Sequence, residues 1–533
     1  MPVAVSYPGV YIEETPSGVR TITGVATSIT AFIGRAAKGS DEPTVINSYG
    51  DFERWFGALD PAYPMGYAVR DFYANGGAQA VIVRLFHKPA GDGVVDTATI
   101  TWSGLALVAA ARGSWANGLR IRVDANVSAD IAAGFGLAAA DLFNLTVRDM
   151  VSGATEMFVN LTVKESPRRV DRVLAAGSQL LRVAASMTLP GTAVPAAHAA
   201  PAAGKTIWTD DSASSPVASA NAAVDSAALA ATDYQGSQAD KTGLYALDKT
   251  DRFNLLCIPP DVRGADTDKA VYSSALDYCV ARRAMLVVDA PVAWTSANAI
   301  TGNNNAALTA LGLAGQRARN AALFFPRLIE ADPKRDGQLD AFVPCGAVAG
   351  LMARTDANRG VWKAPAGIDA ALSGVQGLSV SLTNDENGQL NPIGVNCLRT
   401  FPIIGSIAWG SRTLRGADLL ADEYKYVPVR RTALYIEESL FRGLQWAVFE
   451  PNDEPLWAQI RLNVGAFMQN LFRQGAFQGS SPRDAYFVKC DKETTTQNDI
   501  DLGIVNVVVG FAPLKPAEFV VIQLQQMAGQ IAV

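Results

Sequence analysis

The sequence predicts a multidomain α+β protein in which a β-rich insertion interrupts an α/β domain. Residues 21–89 and 236–383 both alternate apolar strand patterns with helix patterns, which is typical of parallel α/β units. Residues 90–235 between them hold short alternating segments separated by Gly, Asn and Asp. The 533 residues leave room for three or four domains of roughly 150 residues each.

Residues 1–20 are predicted to form an arm. Val10 and Ile12 alternate with Tyr11 and Glu13, which predicts a short strand with one apolar face, and a Pro and a Gly end it. So short a strand is unstable alone and has no adjoining hairpin partner. It is therefore expected to complete its hydrogen bonds either on a sheet edge from elsewhere or as a terminal strand of the protein's own sheet.

The first α/β part, residues 21–89, follows the arm. Spaced aromatic residues predict helices at residues 51–57 and 66–77, the second closed by glycines, and residues 80–86 predict a buried strand. In the insertion, residues 119–123 and 142–147 alternate as strands do, whereas residues 184–231 are rich in alanine and predict loops. The α/β pattern resumes with strands at residues 253–258, 284–289 and 321–325 and a helix at residues 267–283.

A Gly- and Asn-rich break begins the C-terminal domain, residues 384–517. Two amphipathic helices are predicted near residues 429–450 and 454–474, with prolines at their junction. We expect them to pack on a sheet made by residues 485–489, 503–511 and 518–525. Their expected apolar faces comprise Leu440, Leu444 and Val448 in the first helix and Leu462, Ala466 and Leu471 in the second.

The last predicted strand has two interpretations. Val520, Ile522 and Leu524 share one face, and prolines separate the strand from the one before it. Residues 518–533 are therefore either a second arm or the edge of the domain.

Composition argues against several function classes. The net charge is −6 without a long basic run, which makes direct nucleic-acid binding unlikely. No stretch reaches the roughly 18 apolar residues of a membrane span, and no secretory signal is recognisable, so we expect no membrane insertion. Five cysteines without a C-x-x-C pair argue against zinc and against a disulfide framework, although a bridge between subunits stays open.

No catalytic, cofactor-binding or metal-binding residue is predicted. Gly204, Lys205 and Thr206 match only the end of a phosphate-binding loop, because residue 199 is not glycine. The two histidines, His87 and His198, lie in no catalytic motif, and we expect His87 at a strand end and nothing to orient His198. A carboxylate pair stays open, because no spacing singles one out.

Several motifs resemble the contractile tail sheath proteins of phages and related injection machines. They are YPGVYIEETPSGVRTITGVATSITAFIG at the start, INSYGDFERWFG, YAVRDFYANGGAQAVIVR and GVWKAPAG, together with residues 390–396 and 408–414. The resemblance implies a subtilisin-like α/β middle domain without a catalytic triad. It also implies that both terminal segments are arms that add strands to neighbouring subunits, through Val10, Tyr11, Ile12 and Glu13 and through Val520, Ile522 and Leu524.

The resemblance further implies a function and partners. Subunits would stack as hexameric rings around a tail tube, with the C-terminal domain inside and the insertion outside, and contraction would drive the tube through a cell envelope. The expected partners are the chain itself, the tail tube protein, and baseplate and tail terminator proteins. The expected location is a virion tail assembled in the host bacterial cytoplasm. The alternatives are a bacteriocin or type VI-like sheath, or an enzyme with a hydrolase-like α/β domain.

Overall fold

The structure is a computed structural model and describes residues 20–191 and 193–524. The strands are β1 Thr30–Gly34, β2 Thr44–Ile46, β3 Ala80–Arg84, β4 Thr99–Trp102, β5 Leu105–Ala109, β6 Leu119–Asp124, β7 Leu142–Asp149, β8 Thr155–Thr162, β9 Leu181–Val183, β10 Ser215–Pro216, β11 Leu255–Cys257, β12 Met285–Asp289, β13 Ala321–Phe325, β14 Leu328–Asp332, β15 Gln338–Phe342, β16 Val375–Leu378, β17 Val395–Phe401, β18 Gly405–Ala408, β19 Tyr486–Lys489 and β20 Val508–Phe511. The helices are α1 Tyr49–Phe56, α2 Met65–Ala74, α3 Ala129–Gly134, α4 Val170–Gly177, α5 Ala231–Gln235, α6 Lys269–Ala281, α7 Ala297–Thr309, α8 Cys345–Arg359, α9 Asn384–Leu390, α10 Val427–Gly443, α11 Glu454–Arg473, α12 Pro482–Ala485 and α13 Gln497–Asp501.

An eight-stranded sheet forms the centre of the α/β part, in the order β18-β17-β13-β12-β11-β1-β3-β2. Its inner strands run parallel, and the two edge strands, β18 and β2, are antiparallel to their neighbours. The inner strands are mostly apolar because helices cover both faces of the sheet. Helices α1, α2 and α8 lie on one face, and α6 and the start of α7 lie on the other.

The chain builds this sheet from both sides of the insertion, as the sequence predicts. Strand β1 pairs in parallel with β3 from before the insertion and with β11 from after it. The predicted helices and strands of both α/β parts are present, and their bounds lie within three residues of the expected ones. Strands β17 and β18 also belong to this sheet, which therefore extends past residue 383, where we placed the end of the α/β domain.

Residues 90–235 contain strands β4 to β10. A four-stranded sheet, β10-β6-β7-β8, and a three-stranded sheet, β4-β5-β9, share one hydrophobic core with helix α4. The alanine-rich residues 184–231, residue 192 excepted, are mostly irregular, as predicted. A short side chain such as alanine adds little to a core, which leaves much of this stretch at the surface.

The C-terminal helices α10 and α11 confirm the predicted pair, but the buried face of α11 differs from the expected one. Leu471 is buried, whereas Leu462 and Ala466 are exposed. The residues that α11 buries recur every three or four positions, namely Leu456, Trp457, Ile460, Asn463, Val464, Phe467, Met468 and Leu471. Helix α10 ends at Gly443, so the prediction that Val448 lies on the apolar face of this helix is wrong. The side chain of Val448 is exposed.

Candidate assembly surface of the C-terminal domain

Helix α11 supports a small sheet on its apolar face. Strands β19 and β20 pair antiparallel, with Tyr486 opposite Phe511 and Val488 opposite Val509. These four side chains point towards the buried residues of α11 and extend its core. Alternate residues point the other way, because side chains alternate along a strand.

The opposite face of this sheet is exposed and carries two large apolar side chains beside Lys489. Phe487 is 51% exposed and Val508 is 44% exposed. The Phe487 ring covers Gly510, where a Cβ would lie 2.2 Å from the ring carbon Cε1. Within the described residues the sheet consists of two strands. A two-stranded sheet has unpaired edges at which a further strand can add its backbone hydrogen bonds.

The C-terminal segment, residues 514–524, which we call the tail, has no sheet partner in the described part of the chain. The predicted strand at residues 518–525 is not formed over residues 518–524, so the prediction of a strand within the domain's own sheet is wrong there. Among described residues, no backbone N–H or C=O group of the tail bonds to another backbone group. Isolated strands are unstable because their hydrogen bonds and apolar face require a neighbour.

The three tail residues singled out from the sequence are exposed. Val520, Ile522 and Leu524 are 83%, 78% and 93% exposed. Phe519 and Val521 are exposed as well. A contiguous apolar stretch of this kind is unusual for a free surface and is typical of an interaction site.

An ion pair holds the beginning of the tail. Arg412 Nε donates to Glu518 Oε1 at 2.8 Å, and Arg412 Nη2 donates to Glu518 Oε2 at 2.5 Å. Tyr426 Oη donates to the same carboxylate at 3.1 Å. Burial raises the pKa of Glu518, but the hydrogen bonds from Arg412 outweigh this and lower it overall. The carboxylate is therefore ionised at neutral pH.

The tail also forms one wall of an open groove with a volume of about 770 Å³. The facing wall includes Trp362 and Trp409, and the ends of helices α8 and α11 contribute Arg359 and Gln474. The groove lies where the α/β sheet, α11 and the tail meet. Its lining combines aromatic and cationic side chains, both of which are enriched at protein interfaces.

Of the first arm, Val10, Tyr11, Ile12 and Glu13 lie outside the described residues. The chain that follows runs along the C-terminal helices. The backbone N–H of Arg20 donates to Asn463 Oδ1 at 3.1 Å, that of Val25 donates to Ser439 Oγ at 3.3 Å, and Ile22 is buried against Gly443. The first arm therefore enters the described structure beside α10 and α11.

A buried ion pair joins this entry segment, the α/β part and α10. Arg431 Nη1 and Nη2 donate to Asp356 Oδ1 and Oδ2 at 2.9 and 2.5 Å. The Thr27 hydroxyl donates to Asp356 Oδ2 at 2.6 Å, and Arg431 also donates to the Thr27 carbonyl. The side chains of Arg431 and Asp356 are 3% and 5% exposed. Such a pair fixes the relative orientation of the elements, because two parallel hydrogen bonds join the guanidinium to the carboxylate.

His87 is not arranged as a catalytic base for a neighbouring serine. It follows β3 as predicted, and its Nδ1 lies 2.9 Å from Asp233 Oδ2. Ser226 Oγ accepts from the backbone N–H of His87 and donates to the carbonyl of Ala227. The serine proton is thus directed away from the imidazole, and a serine nucleophile needs the opposite arrangement.

His198 is held firmly, so the expectation that nothing orients it is wrong. Its Nδ1 accepts from the backbone N–H of Val123 at 3.0 Å, and its ring stacks on Trp102 at 3.8 Å. Nε2 is therefore the protonated nitrogen and donates to Ser215 Oγ at 3.0 Å. Burial lowers the pKa of His198. This neutral ring is a structural residue of the insertion.

Metal and membrane features were also sought. Among residues 20–191 and 193–524, no group of three or more His, Cys, Asp or Glu side chains is placed to hold a metal ion. None of the helices in the same ranges is long and apolar enough to cross a membrane. All five cysteines are free and buried.

Arg412 and Glu518 are functional candidates that sequence reasoning missed. Arg412 lies within residues 408–414, a stretch that resembles the sheath family, but charged residues in a motif do not reveal their partners. The two residues are 106 positions apart. The signal available in the sequence was a lone Glu518 directly before the apolar run that begins at Phe519.

Two sequence families match the chain. The phage tail sheath protein central domain matches residues 227–414, and the phage tail sheath C-terminal domain matches residues 421–527. Together they cover the α/β domain after the insertion and the C-terminal domain, including the tail. A search of curated proteins returned no match.

Solved structures share the fold over nearly the whole chain. The anti-feeding prophage baseplate, six-fold symmetrised, contains a chain with 21% identity and a TM-score of 0.53, covering 98% of this chain and 100% of that one. The sheath complex of an extracellular contractile injection system, PVC, in its contracted state gives 21% identity and a TM-score of 0.56, with 98% of both chains covered. A sheath tail protein from Listeria innocua gives 15% identity and a TM-score of 0.58, covering 92% of this chain and 96% of that one. With both sheath domains matched in sequence and the fold shared, this chain belongs to the contractile tail sheath protein family.

Proposed function

We propose that this sheath subunit polymerises as stacked hexameric rings around a tail tube and that contraction of the polymer drives the tube through a cell envelope. Family membership makes the chain a contractile sheath subunit. The similar PVC chain forms a sheath complex in a contracted state, and the similar anti-feeding prophage chain comes from a six-fold symmetrised baseplate. Contraction is then a change of packing between subunits, without a chemical step.

The observation that carries the proposal is the unpaired tail beside an open-edged sheet. The tail offers unpaired backbone groups and an apolar face at Val520, Ile522 and Leu524, and β19 and β20 offer unpaired edges. One chain thus presents both halves of a strand-addition contact. Exchange between copies would satisfy both, and repetition along a polymer would produce a continuous mesh.

We further propose that Val10, Tyr11, Ile12 and Glu13 form the second such arm. The support is the alternating pattern together with the entry of the chain beside α10 and α11. In this arrangement the C-terminal domain lines the tube, and residues 90–235 project outwards. We propose residues 1–20 and 518–533 as the arms and residues 21–89 and 236–408 as the two parts of the α/β domain, because β17 and β18 belong to its sheet. Residues 409–517 would then form the inner domain.

We propose that the α/β domain has a subtilisin-like fold without a catalytic triad and has no enzymatic role. Parallel strands covered by helices on both faces support the proposed fold. The hydrogen bonding of His87 and His198 supports the proposed lack of an enzymatic role. The proposed partners besides the chain itself are tube, baseplate and tail terminator proteins, with no cofactor, no direct nucleic-acid contact and no membrane insertion. The proposed location is a phage tail assembled in the host bacterial cytoplasm, with a bacteriocin or type VI-like particle as the alternative.

Electron microscopy of the purified protein with a tube protein tests the proposal. We expect ridged tubes or stacked rings from the full chain, and dispersed particles from variants that lack residues 1–18 or residues 519–533. Circular dichroism of each variant is the control, because each deletion should leave the folded domains intact. Normal polymers from either deletion would contradict the role of that arm, and dispersed full-length protein would contradict self-assembly.

A further inference from the structure

We propose that Arg412 is a positioning residue that fixes the root of the tail and so sets the direction in which the strand-forming residues leave the subunit. The inference rests on the proposed function of the tail. It adds a device within one subunit that prepares the tail before any neighbour binds.

On the side of the subunit body, Arg412 is immobilised. Its side chain is 0% exposed, and it is the largest fully buried side chain of the described residues. Its backbone N–H donates to Asn396 Oδ1 at 2.6 Å, and its carbonyl accepts from Asn396 Nδ2 at 2.7 Å. Because Asn396 lies in β17, the backbone of Arg412 is tied to the central sheet.

The guanidinium is held at a second point that does not involve the tail. Nη1 donates to Asp418 Oδ1 at 2.9 Å and to the Gly416 carbonyl at 3.2 Å. Lys425 Nζ contacts the same Asp418 carboxylate at 2.6 Å. Nε and Nη2 therefore form a fixed fork that faces the tail. A planar fork of this kind binds a carboxylate in one orientation, which a lysine cannot do.

On the side of the tail, Glu518 is the last residue up to position 524 whose side chain has a hydrogen-bond partner. Its side chain is 15% exposed, and it fills the fork with both carboxylate oxygens. The described residues after it, 519–524, are all exposed. Glu518 thus sets the point at which the exposed residues 519–524 begin, through its contact with Arg412 beside the α/β sheet.

A fixed origin affects assembly because it limits the volume that the tail explores. A tethered segment binds according to its effective concentration near the acceptor, and that concentration falls when the tether lengthens or loosens. Ordering costs are also lower for a segment that is already held at one end. Without the ion pair, the free segment would begin after Pro513, which pairs with Phe477, instead of at Glu518.

The first experiment measures the tail in the unassembled protein. All five native cysteines are buried, so spin labels attach selectively to thiols introduced by Ile522→Cys in the tail and Val280→Cys on α6. Electron–electron double resonance should give a narrow distance distribution in this background and a broad one after Glu518→Ala. Lys515→Ala is the matched control, since Lys515 is an exposed tail residue for which no hydrogen bond is found among described residues. An unchanged distribution after Glu518→Ala would overturn the proposal.

The second experiment measures assembly by pelleting polymers over a range of protein concentrations with the tube protein present. Loss of a charge-assisted hydrogen bond corresponds to a factor of about ten in an equilibrium constant. We expect the critical concentration to rise about tenfold for Glu518→Ala, and to rise for Arg412→Lys, with Lys515→Ala unchanged. The thermal midpoint of Glu518→Ala should stay that of the parent, because Asp418 still neutralises Arg412.

The outcomes separate the inference from the proposed function. A broadened tail with an unchanged critical concentration would overturn the positioning role while leaving the sheath function intact. Failure of the parent protein to polymerise would contradict the proposed function, whereas the distance measurement on single subunits would still decide whether Arg412 holds the tail.

Discussion

At the scale of single residues, the buried charges of this protein are grouped around shared partners. Asp71 and Glu330 both contact Arg70, with Nη2 at 2.8 Å from Asp71 Oδ1 and 2.5 Å from Glu330 Oε2. One cation compensates only one of the two carboxylates. Burial raises the pKa of Glu330 to about 9, with the neighbouring Asp71 adding to the effect, and burial also raises the pKa of Asp71.

This carboxyl pair predicts a stability that falls as pH rises. The ordinary pKa of Glu330 is 4.5, so between there and about 9 the folded protein holds a proton that the unfolded chain releases. The contribution of Glu330 to stability is complete below its ordinary pKa of 4.5 and is lost as pH rises through the raised pKa of about 9. We expect the urea midpoint to fall between pH 5 and pH 9, and to fall less in Glu330→Gln. Glu437→Gln, on the exposed side of α10, is the control, and an equal fall in Glu330→Gln would contradict the assignment.

The buried ion pair between Arg431 and Asp356 predicts a large loss of stability when its carboxylate is removed. In Asp356→Asn, Arg431 would keep its charge in a buried site and lose its counter-ion, which costs about 3 to 5 kcal/mol. We expect a correspondingly lower free energy of unfolding, measured by urea titration followed by circular dichroism. Asp385→Asn, at the start of α9, is the matched control. A loss below about 1 kcal/mol, typical of exposed pairs, would contradict the structural role.

At the scale of elements, the contact between α2 and α8 depends on two glycines. A Cβ on Gly346 would lie 2.0 Å from the Ala68 carbonyl oxygen, and a Cβ on Gly350 would lie 2.3 Å from the Phe72 carbonyl oxygen. Both obstacles are backbone atoms, which cannot rotate away. The two glycines are four positions apart and therefore share one face of α8, along which α2 approaches closely.

Gly346→Ala should therefore separate the helices that cover one face of the central sheet. We expect a loss of about 3 kcal/mol in the free energy of unfolding, since overpacking forces the backbone to move. Gly388→Ala in α9 is the control, because nothing lies within 4 Å of its Cβ position. That control should be neutral or stabilising by about 0.5 kcal/mol. Equal stability of the two variants would contradict the close approach.

At the scale of the whole molecule, the five cysteines predict that assembly is independent of redox conditions. All are buried, and burial raises the pKa of Cys397 to about 12 and that of Cys490 to about 11. Since the thiolate is the reactive form, these thiols are poor partners for a bridge between subunits. We expect identical polymers with and without reductant, and reaction with a thiol reagent only after unfolding. Reductant-sensitive polymers would contradict this.

The whole molecule also separates what sequence patterns can and cannot reveal. The parallel strands were predictable because strands buried on both faces are mostly apolar and do not alternate with polar residues, as in residues 80–83. The buried face of α11 could not be predicted in the same way, because Leu462 and Ala466 also fit an apolar spacing. The position of β19 and β20 determines which face of the helix is buried. The prediction that the tail forms a strand of the domain's own sheet was wrong, because strand pairing depends on a partner that an alternating pattern cannot specify.

The order of the elements, the interruption of the α/β domain and the resemblance to sheath proteins follow from the amino-acid sequence alone. These properties reside in local spacing and in contiguous motifs. The folded chain was needed to show which charges meet, such as Arg412 with Glu518 and Arg431 with Asp356, and which apolar segments stay uncovered. Pairing and burial depend on distances between residues far apart in the chain, and a linear pattern contains no such distances.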